Sequence, residues 1–424
     1  MASPFVTLPR EVIERVLIAC HDPRDIAHFA QTCRAARELV YNAHDQFLWR
    51  ELFLAQPFDD LRKALPTKRS QIADYNWAHE LQRRVAAEAA VTSSTDVPDA
   101  TLVAALGTLI SLVETSAPAS PEPGPPLSHN LIWLDGVLRR AQVDASSLST
   151  PEAQERWARL RAYAALAHAE PRACEALRRV SRCFVYDLRR YTAATAWGPF
   201  VRRAGGGLGA DWVHVEHVVN VVTLKLREHA LLRIFGRPLS GVHATRAYSA
   251  PGSLKRAPRD WAGVTGTWRR FVCFMDYRDL FAFNFSLFQE SPPQGPLDPS
   301  FFDHGYQEAI RPIEVRLELI DDHAEDGMDT DEAFPEIHFK GCSRGPHSID
   351  AIVEGSVSML EDGAIRWRFT TKYDGLTQWS AEGIQLGNVC SAAGIAGIWT
   401  GAFHEEADPA GPFLMWKTSG RLRE

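Results

Sequence analysis

Four side chains in the C-terminal half have the types that grip a peptide: Arg344, Arg366, Tyr373 and Trp379. Tyrosine and tryptophan offer large rigid apolar surfaces with one polar atom, and arginine pairs with acidic or carboxyl groups through parallel hydrogen bonds. Tyr373-Asp374-Gly375 and Gln378-Trp379-Ser380 flank a tight turn, which puts side chains at a rim. Arg344 lies in the Gly-rich stretch Cys342–Gly345, and Arg366 and Arg368 alternate outward from Ile365, Trp367 and Phe369. Such a set would hold a protein segment without reacting with it. The bland alternative makes Trp379 a core plug and the arginines plain surface.

Motifs for catalysis or ligand binding are weaker. Gly205-Gly206-Gly207-Leu208-Gly209 follows no clean strand and has Ala210 at the third glycine position, so it reads as a glycine loop before a helix rather than a dinucleotide cradle. In the acidic run Asp321–Glu332, placing Gly327 at the sixth position of a calcium loop puts Ala324 and Ala333 where ligands are needed. Cys20, His21, His28 and Cys33 span two predicted helices without the close ligand pair of a zinc site. No Gly-x-Ser-x-Gly elbow occurs. None of these motifs points to a metal or a cofactor, and none is expected.

The elements that must carry those side chains begin with 424 residues, 45% hydrophobic and 23% charged, enough for two or three domains and incompatible with a fully disordered chain. A net charge of −7 argues against a nucleic-acid-binding protein as a whole. The charge is uneven: residues 139–203 hold 13 arginines against six acids, and residues 204–424 hold 21 basic against 30 acidic. Solvated helix faces are the usual home of such arginines. Seven irregularly spaced cysteines suit a reducing compartment. With neither a visible signal peptide nor an apolar run of about 18 residues, the expectation is cytoplasm or nucleus, with no membrane partner.

Helix signals start at once. Thr7-Leu8-Pro9 reads as a helix start followed by Val12, Ile13, Val16 and Leu17 at helical spacing. Asp22-Pro23-Arg24-Asp25 opens a second helix with Ile26, Phe29 and Ala30, and Thr32 is placed to cap a third carrying Cys33, Ala36, Leu39 and Val40. A further turn ends in Leu48-Trp49. Helical patterns continue over 71–90, 102–113, 131–140, 151–170, 171–183 and 185–195, with a Pro-rich loop at 116–128 predicted to be mobile. Val215, Val218, Val219, Val222 and Leu226 favour a helix despite the valines.

From about residue 262 the period changes to two. Strands are predicted at Thr267–Met275, Leu280–Phe285, Ile313–Leu319, Ile349–Val353, Trp379–Leu386, Gly394–Trp399 and Phe413–Lys417, and Val357–Leu360 with Ile365, Trp367 and Phe369 reads as a hairpin closed at Asp362-Gly363. The fold class is α+β: an N-terminal three-helix unit (1–56), a helical middle (57–245) and a C-terminal antiparallel β-barrel (246–424), because closure removes exposed edges. A β-sandwich is the alternative.

Two resemblances attach to these residues. Leu8-Pro9, the Val12/Ile13/Val16/Leu17 stripe, Asp25-Ile26, Cys33-Arg34 and Leu48-Trp49 resemble an F-box in order and spacing. The runs 362–367, 373–375 and 378–387 with Gly397-Ile398-Trp399, together with Gly266-Thr267-Trp268, 276–280 and 341–345, resemble the barrel of F-box only protein thirty-one, the cyclin-D-binding type, and of many fungal F-box proteins. So do Tyr186–Arg189 and Trp197-Gly198-Pro199. The F-box resemblance implies docking on the Skp-type adaptor of an SCF-type cullin–RING ubiquitin ligase, with Leu8, Pro9, Val12, Ile13, Val16 and Leu17 facing the adaptor. The barrel resemblance implies a substrate-recognition domain with no catalytic set, for an unidentified protein substrate. The function from another class is a small-ligand-binding or enzymatic barrel fused to an F-box-like bundle.

Overall fold

The helix and strand signals sort the chain into two compact units, Met1–Ala117 with Leu127–Val143, and Pro118–Pro126 with Asp144–Glu424. The division is seen in a computed structural model that describes residues 8–20, 22–42, 45–65, 75–121, 127–228, 239–285, 295–303, 305–320, 334–346, 349–405 and 408–421. The predicted helical middle, 57–245, is thus no region of its own. Its helices up to residue 143 belong to the first unit and the rest to the second.

In the first unit, α1 (Arg10–Cys20) starts directly after Pro9, whose carbonyl accepts from the amides of Val12 and Ile13. Asp22 caps α2 (Pro23–Thr32), its carboxylate accepting from Arg24 N at 2.8 Å. The cap of α3 (Arg34–Tyr41) is Cys33 rather than Thr32. The Thr32 hydroxyl donates back to the Phe29 carbonyl at 2.7 Å, and the Cys33 sulfur takes the Ala36 amide. With α4 (Phe47–Ala55) the described residues up to Ala55 hold four helices, one more than predicted, because the Leu48-Trp49 turn extends to nine residues. Ile13, Leu17, Ile26, Val40, Leu48, Leu52 and Phe53 share one core with Trp77 and Leu81 of α5 (Trp77–Val91). Trp49 fixes its position by donating to the Val40 carbonyl at 2.8 Å.

Next come α6 (Asp99–Glu114) and α7 (His129–Arg140). Asp59, 6% exposed, accepts from Ala117 N, His129 N and the Ser128 hydroxyl. Both ends of the Pro-rich stretch, predicted mobile, are therefore fastened to one buried carboxylate. Its residues 122–126 lie outside the described ones, as do His21 and the acidic run 321–333.

The second unit opens with α8 (Pro151–Ala164) and α9 (Pro171–Val185). Two short 3₁₀ turns, 188–190 and 193–195, stand where a helix is predicted for 185–195. The glycine loop is the turn of a hairpin, β1 (Phe200–Arg202) with β2 (Leu208–Ala210), and Gly206 there has φ +83°. The valine stripe is helical, as predicted: α10 (Trp212–Glu228) buries Val215, Val218, Val219 and Val222 and packs on the barrel.

The barrel is closed and antiparallel, with strand order β10-β3-β4-β5-β6-β7-β8-β9. The sandwich alternative is excluded. The strands are β3 (Gly266–Met275), β4 (Glu308–Leu319), β5 (Ile337–Arg344), β6 (Ala351–Met359), β7 (Ile365–Tyr373), β8 (Leu376–Gln385), β9 (Ile395–Gly401) and β10 (Ala410–Ser419). The β6–β7 hairpin turns at Asp362-Gly363, with Gly363 at φ +78°. The predicted strand 280–285 is instead a helix, α11 (Tyr277–Asn284), because the Asp276 carboxylate caps it by accepting from Arg278 N. Ile349–Val353 and Val357–Leu360, read as separate strands, both run into the single strand β6, and β5 is a strand that the sequence pattern did not reveal.

Candidate functional site: the open end of the barrel

Register decides which side chains enter the lumen. Directly opposed residues of an antiparallel pair share a face. Pairing Trp268 with Val315 and Lys417, and Trp367 with Val357 and Gly383, places all of these inside. One end is filled. Trp268, Trp367 and Phe339 are buried and meet edge-on or tilted at 5.2–5.7 Å, Trp367 Nε1 donates to Gln385 Oε1 at 3.1 Å, and Lys417 Nζ donates to the Gly263 carbonyl.

The other end, where β3, β5, β7 and β9 finish, is less completely buried, although Ser343, Ala351 and Thr371 are buried there and Trp399 Nε1 donates to the Cys273 carbonyl. Tyr373 and Trp379 are half-buried there, and Trp379 stands edge-on to Trp399 at 5.2 Å. Around this mouth stand exposed apolar side chains: Leu376 at the start of β8, Phe403 in the turn after β9, Ile349 before β6 and Tyr277 after β3.

The four predicted peptide-gripping residues do not come together. Tyr373 and Trp379 stand at the open end in the inward phase, with Trp379 opposite Thr371. Arg344 belongs to the same end but to the outer face, where it forms a bidentate pair with Asp350 at 2.6 and 2.5 Å. Arg366 also points outward, at the far end of β7, about 23 Å from Tyr373 at ~3.3 Å per residue. It is engaged by Glu382 at 2.9 and 2.8 Å and covers the Phe200 ring. Both arginines are thus removed from the candidate site. Replacing Arg344 by Ala should leave the melting midpoint unchanged. Trp379→Ala, which strips a half-buried ring from Trp399, should cost about 2 kcal/mol in urea unfolding.

Two arginines that sequence reasoning passed over do face the lumen. Arg270 is opposite Ile313 and Met415, in phase with Trp268. Its guanidinium lies 4.9 Å from the Phe369 ring centre and 4.5 Å from that of Phe413. Arg311 is opposite Val272, one step nearer the mouth, and lies over Phe274 at 4.7 Å. Arg270 is 6% exposed, its Nε has no hydrogen-bond partner, and burial pushes its pKa down to about 9. The signal was present in the sequence: the period of two that puts Trp268 inside puts Arg270 there too.

A second surface is on the first unit. Leu8, Val12 and Val16 are 44%, 43% and 49% exposed, and Pro9 is exposed beside them. Ile13 and Leu17, at 7% and 4%, point into the core. Of the six predicted adaptor-facing residues, Leu8 and Pro9 precede α1, Val12 and Val16 lie on its exposed face, and Ile13 and Leu17 are taken up by packing within the unit.

The arginine-rich segment 139–203 is largely paired: Arg140 with Glu88, Arg156 with Glu152, Arg161 with Glu216, Arg179 with Asp303 and Arg203 with Glu155. No described helix is long and apolar enough to cross a membrane. The chain matches no protein-family model, no curated protein and no solved structure.

Proposed function

We propose that this chain is a non-catalytic substrate receptor of an SCF-type cullin–RING ubiquitin ligase. The observation that carries the reading is the exposed apolar strip made by Leu8 and Pro9, just before α1, and Val12 and Val16 on it, while Ile13 and Leu17 of the same helix are buried in the core. Helix surfaces facing solvent are normally polar, and an apolar strip left uncovered suits a partner. The F-box resemblance makes that partner the Skp-type adaptor. The barrel's open end, with Tyr373 and Trp379 inside and Leu376 and Phe403 on the rim, supports a substrate-holding role for the second unit. The receptor's contribution to the chemistry is proximity: a captured protein has its lysines at raised effective concentration near the charged ubiquitin carrier. The cytoplasm or nucleus, where such ligases work, is the proposed location. Co-expression with a Skp-type adaptor tests the proposal. The expected outcome is a 1:1 complex on size exclusion, and a chain that elutes alone beside excess adaptor would overturn it.

A further inference from the structure

Between the helices of the second unit and the outer face of the barrel lies a cavity of about 180 Å³ that no described side chain fills. Close-packed interiors hold few voids of that size. Its floor is the outward face of β10, where Leu414 and Trp416 are buried and the Trp416 ring stacks on Phe271 at 5.3 Å. Tyr163 of α8 and Val219 and Leu226 of α10 form its walls. The cavity opens to solvent where its lining residues become exposed, at Arg227, Leu239 and Ser240. Arg227 is the one charged side chain among the described lining residues, and no carboxylate lines the cavity with it. Its guanidinium is held in place without being neutralised: Nη2 donates to the Leu166 carbonyl at 3.0 Å, and Arg227 makes no ion pair among the described residues. That carbonyl belongs to a turn of two successive left-handed residues after α8, Ala165 at φ +47° and Leu166 at φ +62°. L residues adopt this conformation at a cost, so the surrounding packing holds the turn.

We infer that this cavity binds a single-chain amphiphile with an acidic head, its chain against Trp416, Val219 and Leu226 and its head on Arg227. An apolar interior with one unpaired cation at the entrance suits such a molecule. The chain leaves water, while the head meets a guanidinium on one side and keeps solvent on the other. A neutral hydrocarbon would gain nothing from Arg227, and a polyanion would find no second cation among the described lining residues. Thr223, one helical turn before Arg227 on α10, and Ser240 bring hydroxyls to the same lining as further donors to the head. Size sets the chain length: a cavity of ~150 Å³ takes the six carbons of benzene, so one of 180 Å³ takes about seven. A chain lodged there touches α8, α10 and β10 at once, so occupancy fastens the helical layer to the barrel. The inference goes beyond the receptor reading and does not depend on it, since the cavity lies outside the barrel lumen and wholly within the second unit.

The test is calorimetric titration of the full-length chain with octanoate and with heptyl phosphate, each carrying seven carbons beyond its acidic group. Octanamide keeps the chain and removes the charge, and acetate keeps the charge and removes the chain. At least one of the two acids should bind saturably at one site per chain, ten-fold or more tightly than octanamide, and acetate should not bind. The tighter acid identifies the head. Its affinity should fall as salt rises, and it should raise the melting midpoint of the chain. Arg227→Gln should cut the preference over octanamide to less than two-fold while leaving the ligand-free melting midpoint unchanged. Ala393→Leu, at a half-buried lining position, places a larger side chain in the cavity and should abolish binding of every probe. Should that variant not fold, Thr223→Met takes its place, and should neither fold, the exposed Arg227→Gln decides alone. No binding by either acid, equal binding of octanamide, uptake of several molecules per chain without saturation, or undiminished preference in a folded Arg227→Gln protein would overturn the inference.

Discussion

A Glu308→Ala protein should lose about 3–5 kcal/mol of stability, the largest single effect expected in the second unit. Glu308 has no exposed side-chain surface and accepts from Arg182 at 2.6 and 3.1 Å, from the Tyr186 hydroxyl at 2.8 Å, and lies 3.5 Å from Lys225. Three elements converge on one carboxylate: α9 through Arg182, the chain just after it through Tyr186, and α10 through Lys225. Removing it strands a guanidinium that is itself only 2% exposed. The attraction inside such a pair roughly offsets the cost of burying both ions, so the loss comes from breaking the pair rather than from the pair's net worth. For that reason a Glu308→Met/Arg182→Met double variant should recover most of the loss. Urea unfolding of the three proteins checks the argument; a single variant within about 1 kcal/mol of wild type would contradict it.

The second large effect separates two faces of α1. Ile13→Asp puts a carboxylate among Leu17, Ile26 and Val40, a burial that costs several kcal/mol and should unfold the first unit. Val16→Asp, three residues on, faces solvent and should stay within about 0.5 kcal/mol of wild type. Far-UV circular dichroism and a melting curve on each variant distinguish them. Equal stability of the two would mean that the inward and outward assignments on α1 are wrong.

The same helix shows what the sequence could and could not tell. Val12, Ile13, Val16 and Leu17 read as one stripe because helical spacing groups them, but a stripe four residues wide covers more than the face a small bundle can bury. Which half the core takes depends on the angle at which α2 and α4 arrive, and no local pattern contains that. Barrel strands were easier. Alternation in Ile313–Leu319 and Ile365–Phe369 and the Asp362-Gly363 turn are local signals, and both survive in the fold. β5 was hidden because its inward positions include Gly341 and Ser343, which break the apolar alternation. At Gly341 a side chain would collide with the Arg316 carbonyl, so the close strand approach that requires glycine also erased the pattern. Leu280–Phe285 misled in the opposite way: a short apolar run fits either period, and the Asp276 cap settles it as helix. That Tyr373 and Trp379 stand at one end of the barrel was legible from their place beside a turn. The outward placement of Arg344 and Arg366 was not legible, because it requires knowing which arginines have carboxylate partners across the sheet. Asp350 and Glu382 take those two, while Arg270 and Arg311 have none.

The receptor reading is tested most directly by titrating purified adaptor into the full-length chain by calorimetry, with wild type and a Val12→Asp/Val16→Asp variant side by side. Saturable 1:1 binding is expected for wild type, with a loss of at least a hundred-fold in affinity for the variant and the same melting curve for both. No heat of binding with wild type, or undiminished binding by a folded variant, would contradict it.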